Sequence, residues 1–162
     1  TLPLRESILS SGFRIVDVMK ESGETDRALH ILRRLISWDP HCIQAWESQI
    51  NLLFAEERWE DVRKTCEEMI GKLYTEGQQI EHPNEVLFAI VMRGRSEEKL
   101  GSRVTAERRY REAVGIDVNH LPAWESLGPL LYSQSRWADA RVAYEKIVNL
   151  SHRANPGEVG KG

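Results

Sequence analysis

The chain has 162 residues, 41% hydrophobic and 29% charged, with 22 basic against 25 acidic side chains and a formal net charge of -3. That length favours one domain or one compact array, and the near-balance of charge gives no bulk attraction to nucleic acid or a membrane surface. No apolar run approaches the roughly 18 residues of a bilayer span, no secretory leader opens the chain, and Cys42 and Cys66 stand too far apart for a metal or redox motif. A cytoplasmic location is therefore expected, with the nucleus as the alternative, and the start at Thr1 is expected to reflect excision from a longer chain.

Four helix-pair units are predicted in chain order, at about 9–40, 43–74, 87–118 and 121–152, with an inserted loop at about 75–86 and a flexible tail at 153–162. In the first unit Ala28, Leu29, Leu32, Leu35 and Ile36 recur at helical spacing. Glu24-Thr25 is read as the turn into that helix, with Thr25 as its cap, and Pro40 ends it because proline lacks the donor a helix needs. The second unit carries Trp46, Leu53, Trp59, Val62, Cys66 and Met69, and the third Gly94, Gly101, Ala106, Tyr110 and Ala113. In the fourth, Ala140, Ala143, Tyr144, Ile147 and Val148 form a second helical stripe. Gly128-Pro129 lies inside its first helix and predicts a kink or early break near Glu125 to Pro129. Beyond Leu150 the sequence Ser-His-Arg-Ala-Asn-Pro-Gly cannot supply a closing helix, which leaves the last helix with an uncovered apolar side.

The units repeat. Ala45-Trp46-Glu47-Ser48 returns 78 residues later as Ala123-Trp124-Glu125-Ser126, each followed by a second tryptophan, Trp59 or Trp137. Ala28, Val62, Ala106 and Ala140 hold one slot at steps of 34, 44 and 34. Trp124, Leu127, Gly128, Leu131, Ala140 and Tyr144 follow most fully a pattern that resembles the tetratricopeptide repeat (TPR). Units one to three depart from it at Gly12, at Gln49-Ile50 and Val62, and at Arg93 and Glu97. The resemblance implies an all-α, right-handed superhelical solenoid of about four helix pairs, and a non-catalytic scaffold or adaptor that binds a polypeptide in its concave groove.

Carried over position by position, the groove is lined by Phe13, Asp17, Glu47, Asn51, Phe54, Phe88, Val91, Arg95, Glu125, Pro129 and Tyr132. Aromatics beside Asp17, Glu47 and Glu125 suit a partner with apolar anchors and positive charge. They do not suit the carboxylate clamp of the chaperone-tail-binding subfamily, of which only Asn51 remains. Self-association through the uncapped last helix is a further expectation. A weaker similarity links the first two units to the bacterial transcriptional activator domain, through Leu73, Glu76, Gly77, Pro83, Glu85 and Leu87. It implies a regulatory or oligomerisation module of a transcription or signalling protein.

No enzyme chemistry is expected. The arginines at 93, 95, 103, 108, 109 and 111 are interleaved with Glu97, Glu98, Glu107 and Glu112, which cancels a phosphate-tracking stripe. The histidines at 30, 41, 82, 120 and 152 have no metal-ligand spacing, and the tail at 157–162 fails the phosphate-loop pattern. No nucleophile stands with a base and an orienting group. No catalytic residue, metal or cofactor is assigned.

Overall fold

The computed structural model describes residues 2–73 and 82–154. Among the described residues the chain forms eight helices and no strand. They are α1 (Leu2–Glu21), α2 (Thr25–Trp38), α3 (Ile43–Ala55), α4 (Trp59–Leu73), α5 (Pro83–Lys99), α6 (Arg103–Ile116), α7 (Leu121–Ser133) and α8 (Trp137–Ala154). Two compact units result, residues 1–85 and residues 86–162. The first holds α1 to α4. The second holds most of α5 together with α6, α7 and α8.

One turn design joins the helices within every pair. Gly23, Glu57, Gly101 and Ser135 adopt left-handed backbone, with φ of +75, +56, +84 and +58. The N–H of each donates to the carbonyl three residues back, at Lys20, Phe54, Glu98 and Tyr132 (3.0–3.2 Å). The next N–H donates to the carbonyl five residues back, at Met19, Leu53, Glu97 and Leu131 (2.8–3.1 Å). This Schellman closure satisfies carbonyls that a helix end leaves open.

The residue after the left-handed one then starts the next helix. The carbonyls of Glu24, Arg58, Ser102 and Arg136 accept from the N–H groups of Ala28, Val62, Ala106 and Ala140 at 2.9–3.0 Å. Those four residues are each the fourth of their helix and are all buried. Small or β-branched side chains fit there because the turn brings the two helices close. Thr25 is not the cap. Glu24 takes that place without a side-chain bond, and Thr25, one residue inside, donates its hydroxyl to Glu56 at 3.1 Å.

A second turn recurs between pairs in each unit. The carboxylates of Asp39 and Asp117 accept from the N–H of His41 (3.2 Å) and of Asn119 (2.9 Å). The carbonyls of the same two aspartates accept from Cys42 and His120 at 3.0 Å. Across each turn an indole N–H is tied down: Trp46 Nε1 donates to the Pro40 carbonyl at 2.9 Å, and Trp124 Nε1 to that of Val118 at 2.8 Å.

Helix contacts are set by complementary sizes. In the first unit Val16 and Ile50 on α1 and α3, and Leu32 and Cys66 on α2 and α4, are all buried. In the second unit the same slots hold Gly94 and Gly128 against Tyr110 and Tyr144. A Cβ on Gly94 would lie 2.6 Å from Tyr110 Cε1, so only glycine admits that ring; at Gly128 the same distance to Tyr144 is an ordinary 3.4 Å. Gly12 is explained likewise: a Cβ there would lie 2.8 Å from Leu35 Cδ2, where α1 meets α2.

The described helices bear on three further expectations. The early break near Pro129 does not occur: α7 runs through Pro129 to Ser133, with Pro129 on the exposed side. α8 runs to Ala154, with His152 and Arg153 in its last turn, where cations favour the helix dipole, and no separate closing helix follows it among the described residues. Arg93 and Glu97 serve the core. Glu97 is 5% exposed and pairs with Arg93 at 3.1 Å and Arg109 at 3.6 Å. Most of the loop expected at 75–86 and of the tail expected at 153–162 lies outside the described residues, as do Glu76 and Gly77 of the activator-domain motif; Pro83, Glu85 and Leu87 already belong to α5.

Candidate functional site

Spacing of 4 and 3 residues puts Glu47, Asn51 and Phe54 on one face of α3, and Glu125, Pro129 and Tyr132 on the matching face of α7. The two stripes occupy equivalent places in their units. On α7 all three residues are exposed, Tyr132 by 57%. On α3 Asn51 is exposed while Glu47 and Phe54 are half-buried.

Each stripe ends on an aromatic pair. Phe54 meets Trp59 edge-on at 4.9 Å and 72° between ring planes, and Tyr132 meets Trp137 at 4.9 Å and 75°. These are favourable edge-to-face geometries. The second pair stands open, with Trp137 58% exposed. In the sequence Trp137 stands out only as a repeat marker. Its spacing from Trp124, identical to that of Trp59 from Trp46, was the signal that it serves the same end of the stripe.

The acids differ in setting. Burial pushes the Glu47 carboxyl above its ordinary pKa, and the like charge of Glu85 adds to the shift. A cation brought to Glu47 would relieve that cost. Glu125 is exposed.

The remaining expected site residues fall into three groups. Asp17 is exposed on α1. Phe13 packs against the buried cluster of Leu35, Cys42 and Ala45, so it is largely a core side chain. Val91 is 3% exposed and cannot meet a partner; most apolar residues of α5 are buried with it. Phe88 is half-buried, and Arg95 donates through Nε to Ser126 Oγ at 3.1 Å, so its head is partly engaged within the second unit.

Of the arginines read as charge-cancelled, Arg93, Arg109 and Arg111 are paired with glutamates. Glu107 is held by Arg111 and Arg136, both at 2.8 Å; desolvation opposes its ionisation, yet the two guanidiniums keep its carboxyl below the usual range. Among the described residues no group of three or more His, Cys, Asp or Glu side chains is placed to hold a metal ion. No described helix is long and apolar enough to cross a membrane.

No family model matches the chain, and no curated protein matches it. Solved structures do. A structure of a MamA RS-1 double mutant aligns over 89% of this chain and 75% of its own, at 12% identity and a TM-score of 0.68. MamA from Desulfovibrio magneticus RS-1 aligns over 91% and 76%, at 12% identity and 0.61. YrrB, described as a TPR protein with an unusual peptide-binding site, aligns over 91% and 69%, at 16% identity and 0.60. At these identities the likeness establishes the fold: the chain has the all-α TPR fold that Trp124, Gly128, Ala140 and their counterparts led us to expect.

Proposed function

We propose that the chain is a non-catalytic protein-interaction module in which α3 and α7 present polypeptide-binding faces, with α7 as the principal one. The supporting observation is the open stripe of Glu125, Pro129 and Tyr132, ending on the exposed Tyr132–Trp137 pair. A soluble domain gains nothing in stability by leaving two large aromatics half out of water. Exposed aromatics beside a carboxylate suit a segment with an apolar anchor and a lysine or arginine. The equivalent face of α3, with Glu47, Asn51 and Phe54, offers the same chemistry in smaller measure. YrrB, with a similar fold, is a peptide binder by its description. We place the protein in the cytoplasm or nucleus on this reading.

The test is selection from a displayed peptide library, followed by affinity measurement. Selected peptides should carry a basic residue near an apolar one, and Glu125→Lys with Tyr132→Ala should weaken them about tenfold or more with an unchanged circular-dichroism spectrum. Peptides that bind the double variant as well as the parent would end this reading.

Self-association is a second reading. Val142, Tyr144 and Val148 on α8, and Leu4, Ile8, Ile15 and Val18 on α1, are exposed apolar residues. Sedimentation that finds a monomer at every concentration would dispose of it. The regulatory module suggested by the activator-domain similarity would be supported by an attached DNA-binding or ATPase domain in the full-length protein.

A further inference from the structure

The first unit contains a polar cavity that the fold does not require. It has a volume of about 430 Å³ and opens between α2, α3 and α4, a size ordinary for small-molecule sites. Its floor is formed by Trp46, Gln49 and Thr65, all buried. Gln49 Nε2 donates to Thr65 Oγ1 at 3.3 Å. Gln49 Oε1 is buried and has no hydrogen-bond partner among the described residues. A buried carbonyl oxygen left in that state costs stability.

The second unit supplies the comparison. The slots of Gln49 and Thr65 are there filled by Leu127 and Ala143, which are 2% and 1% exposed. Lys64 and Glu68 at the cavity mouth correspond to Val142 and Lys146. The equivalent slots are thus filled by an apolar pair, so this packing does not demand a buried amide and hydroxyl. The TPR pattern also expects leucine at position 49.

The mouth carries both signs of charge, Arg33 and Lys64 beside Asp61 and Glu68. Asp61 is also paired with Arg58 at 2.8 Å, and Lys64 lies 3.9 Å from Glu60. A mouth with balanced charge has no net attraction for a simple anion or cation and suits a zwitterion, which can meet both signs at once. The floor offers one buried acceptor and the indole of Trp46, whose own N–H is already bound to the Pro40 carbonyl.

We propose that this cavity binds a free α-amino acid whose neutral side chain ends in a hydrogen-bond donor. The side-chain donor meets Gln49 Oε1 on the floor. The α-carboxylate lies between Arg33 and Lys64, and the α-ammonium beside Glu68 and Asp61. This site is separate from the exposed faces of α3 and α7, and it stands or falls independently of the function proposed for them.

The experiment uses the full chain and calorimetric or NMR titration with three probes: L-glutamine, L-norleucine, which lacks the donor, and N-acetyl-L-glutamine amide, which lacks both α-charges. Glutamine should bind saturably, with both other probes weaker by about tenfold or more. The variant Gln49→Leu/Thr65→Ala, which copies the pair of the second unit, should fold at least as stably as the parent and lose about tenfold or more in glutamine affinity. Several results would overturn the proposal: no saturation by about 20 mM glutamine, equal binding of norleucine, or unchanged binding by the double variant. Equal binding of the blocked amide would also overturn it, by assigning the cavity to a polypeptide side chain instead.

Discussion

Ser135 holds the backbone conformation that Gly101 holds one repeat earlier, with φ of +58 against +84, and both close their helix by the same pair of backbone hydrogen bonds. Glycine adopts this conformation freely, whereas a residue with a Cβ is strained there by about 1–2 kcal/mol. Gly101→Ala should therefore cost about 1 kcal/mol, and Ser135→Gly should stabilise the protein by up to about 1 kcal/mol. Urea unfolding of the two variants checks both signs.

Trp46 and Trp124 make the same indole bond in different surroundings. Trp46 is 3% exposed and Trp124 only half-buried. Trp46→Phe removes the donor to a part-buried bond from a buried side chain and should cost about 1–3 kcal/mol, against about 0.5–1.5 kcal/mol for Trp124→Phe. Thermal unfolding should order them so.

Gly94 and Tyr110 form a matched pair. Gly94→Ala drives a methyl into the Tyr110 ring and should cost about 1–3 kcal/mol. Adding Tyr110→Leu frees the space, so the double variant should lose less than the sum of the single losses. A double-mutant cycle by denaturant titration measures the coupling. The first unit already uses the opposite arrangement, with Ile50 on α3 and Cys66 on α4.

Two glutamates should respond to pH in opposite directions. Glu47 has a raised pKa in the folded state, so its ionisation disfavours folding. Glu47→Gln should leave stability unchanged at about pH 3 and raise it above about pH 5. Glu107 has a lowered pKa, so its charge contributes stability above the unfolded value, and that contribution is lost as pH falls through the lower folded value. Glu107→Gln should destabilise at pH 7 and be neutral near about pH 2. Stability curves against pH for the two variants test the signs.

The repeat slots were legible because turn geometry imposes them. Ala28, Val62, Ala106 and Ala140 are small or branched for one structural reason, and that reason leaves a mark at fixed spacing. The left-handed position was half-hidden, since Gly23 and Gly101 announce it while Glu57 and Ser135 do not. Thr25 misled because local capping preference ignores a Schellman turn that has already placed Glu24 at the cap. Pro129 did not end its helix, because a proline on an exposed helix face removes only one bond. At the candidate site, periodicity placed Glu125 and Tyr132 on one face but could not say that Val91 would be covered, since spacing alone does not tell a buried helix face from an open one. Gln49 stood out only as a departure from a pattern; its contact with Thr65 required coordinates.

The proposal that α7 is a polypeptide-binding face is tested most directly by titrating a library-selected basic–apolar peptide into isotope-labelled protein and mapping the amide and indole resonances that shift. Our account predicts that the largest shifts cluster at Glu125, Tyr132 and the indole of Trp137. Shifts confined to α2, α4 or α6, with those three unmoved at saturation, would contradict it.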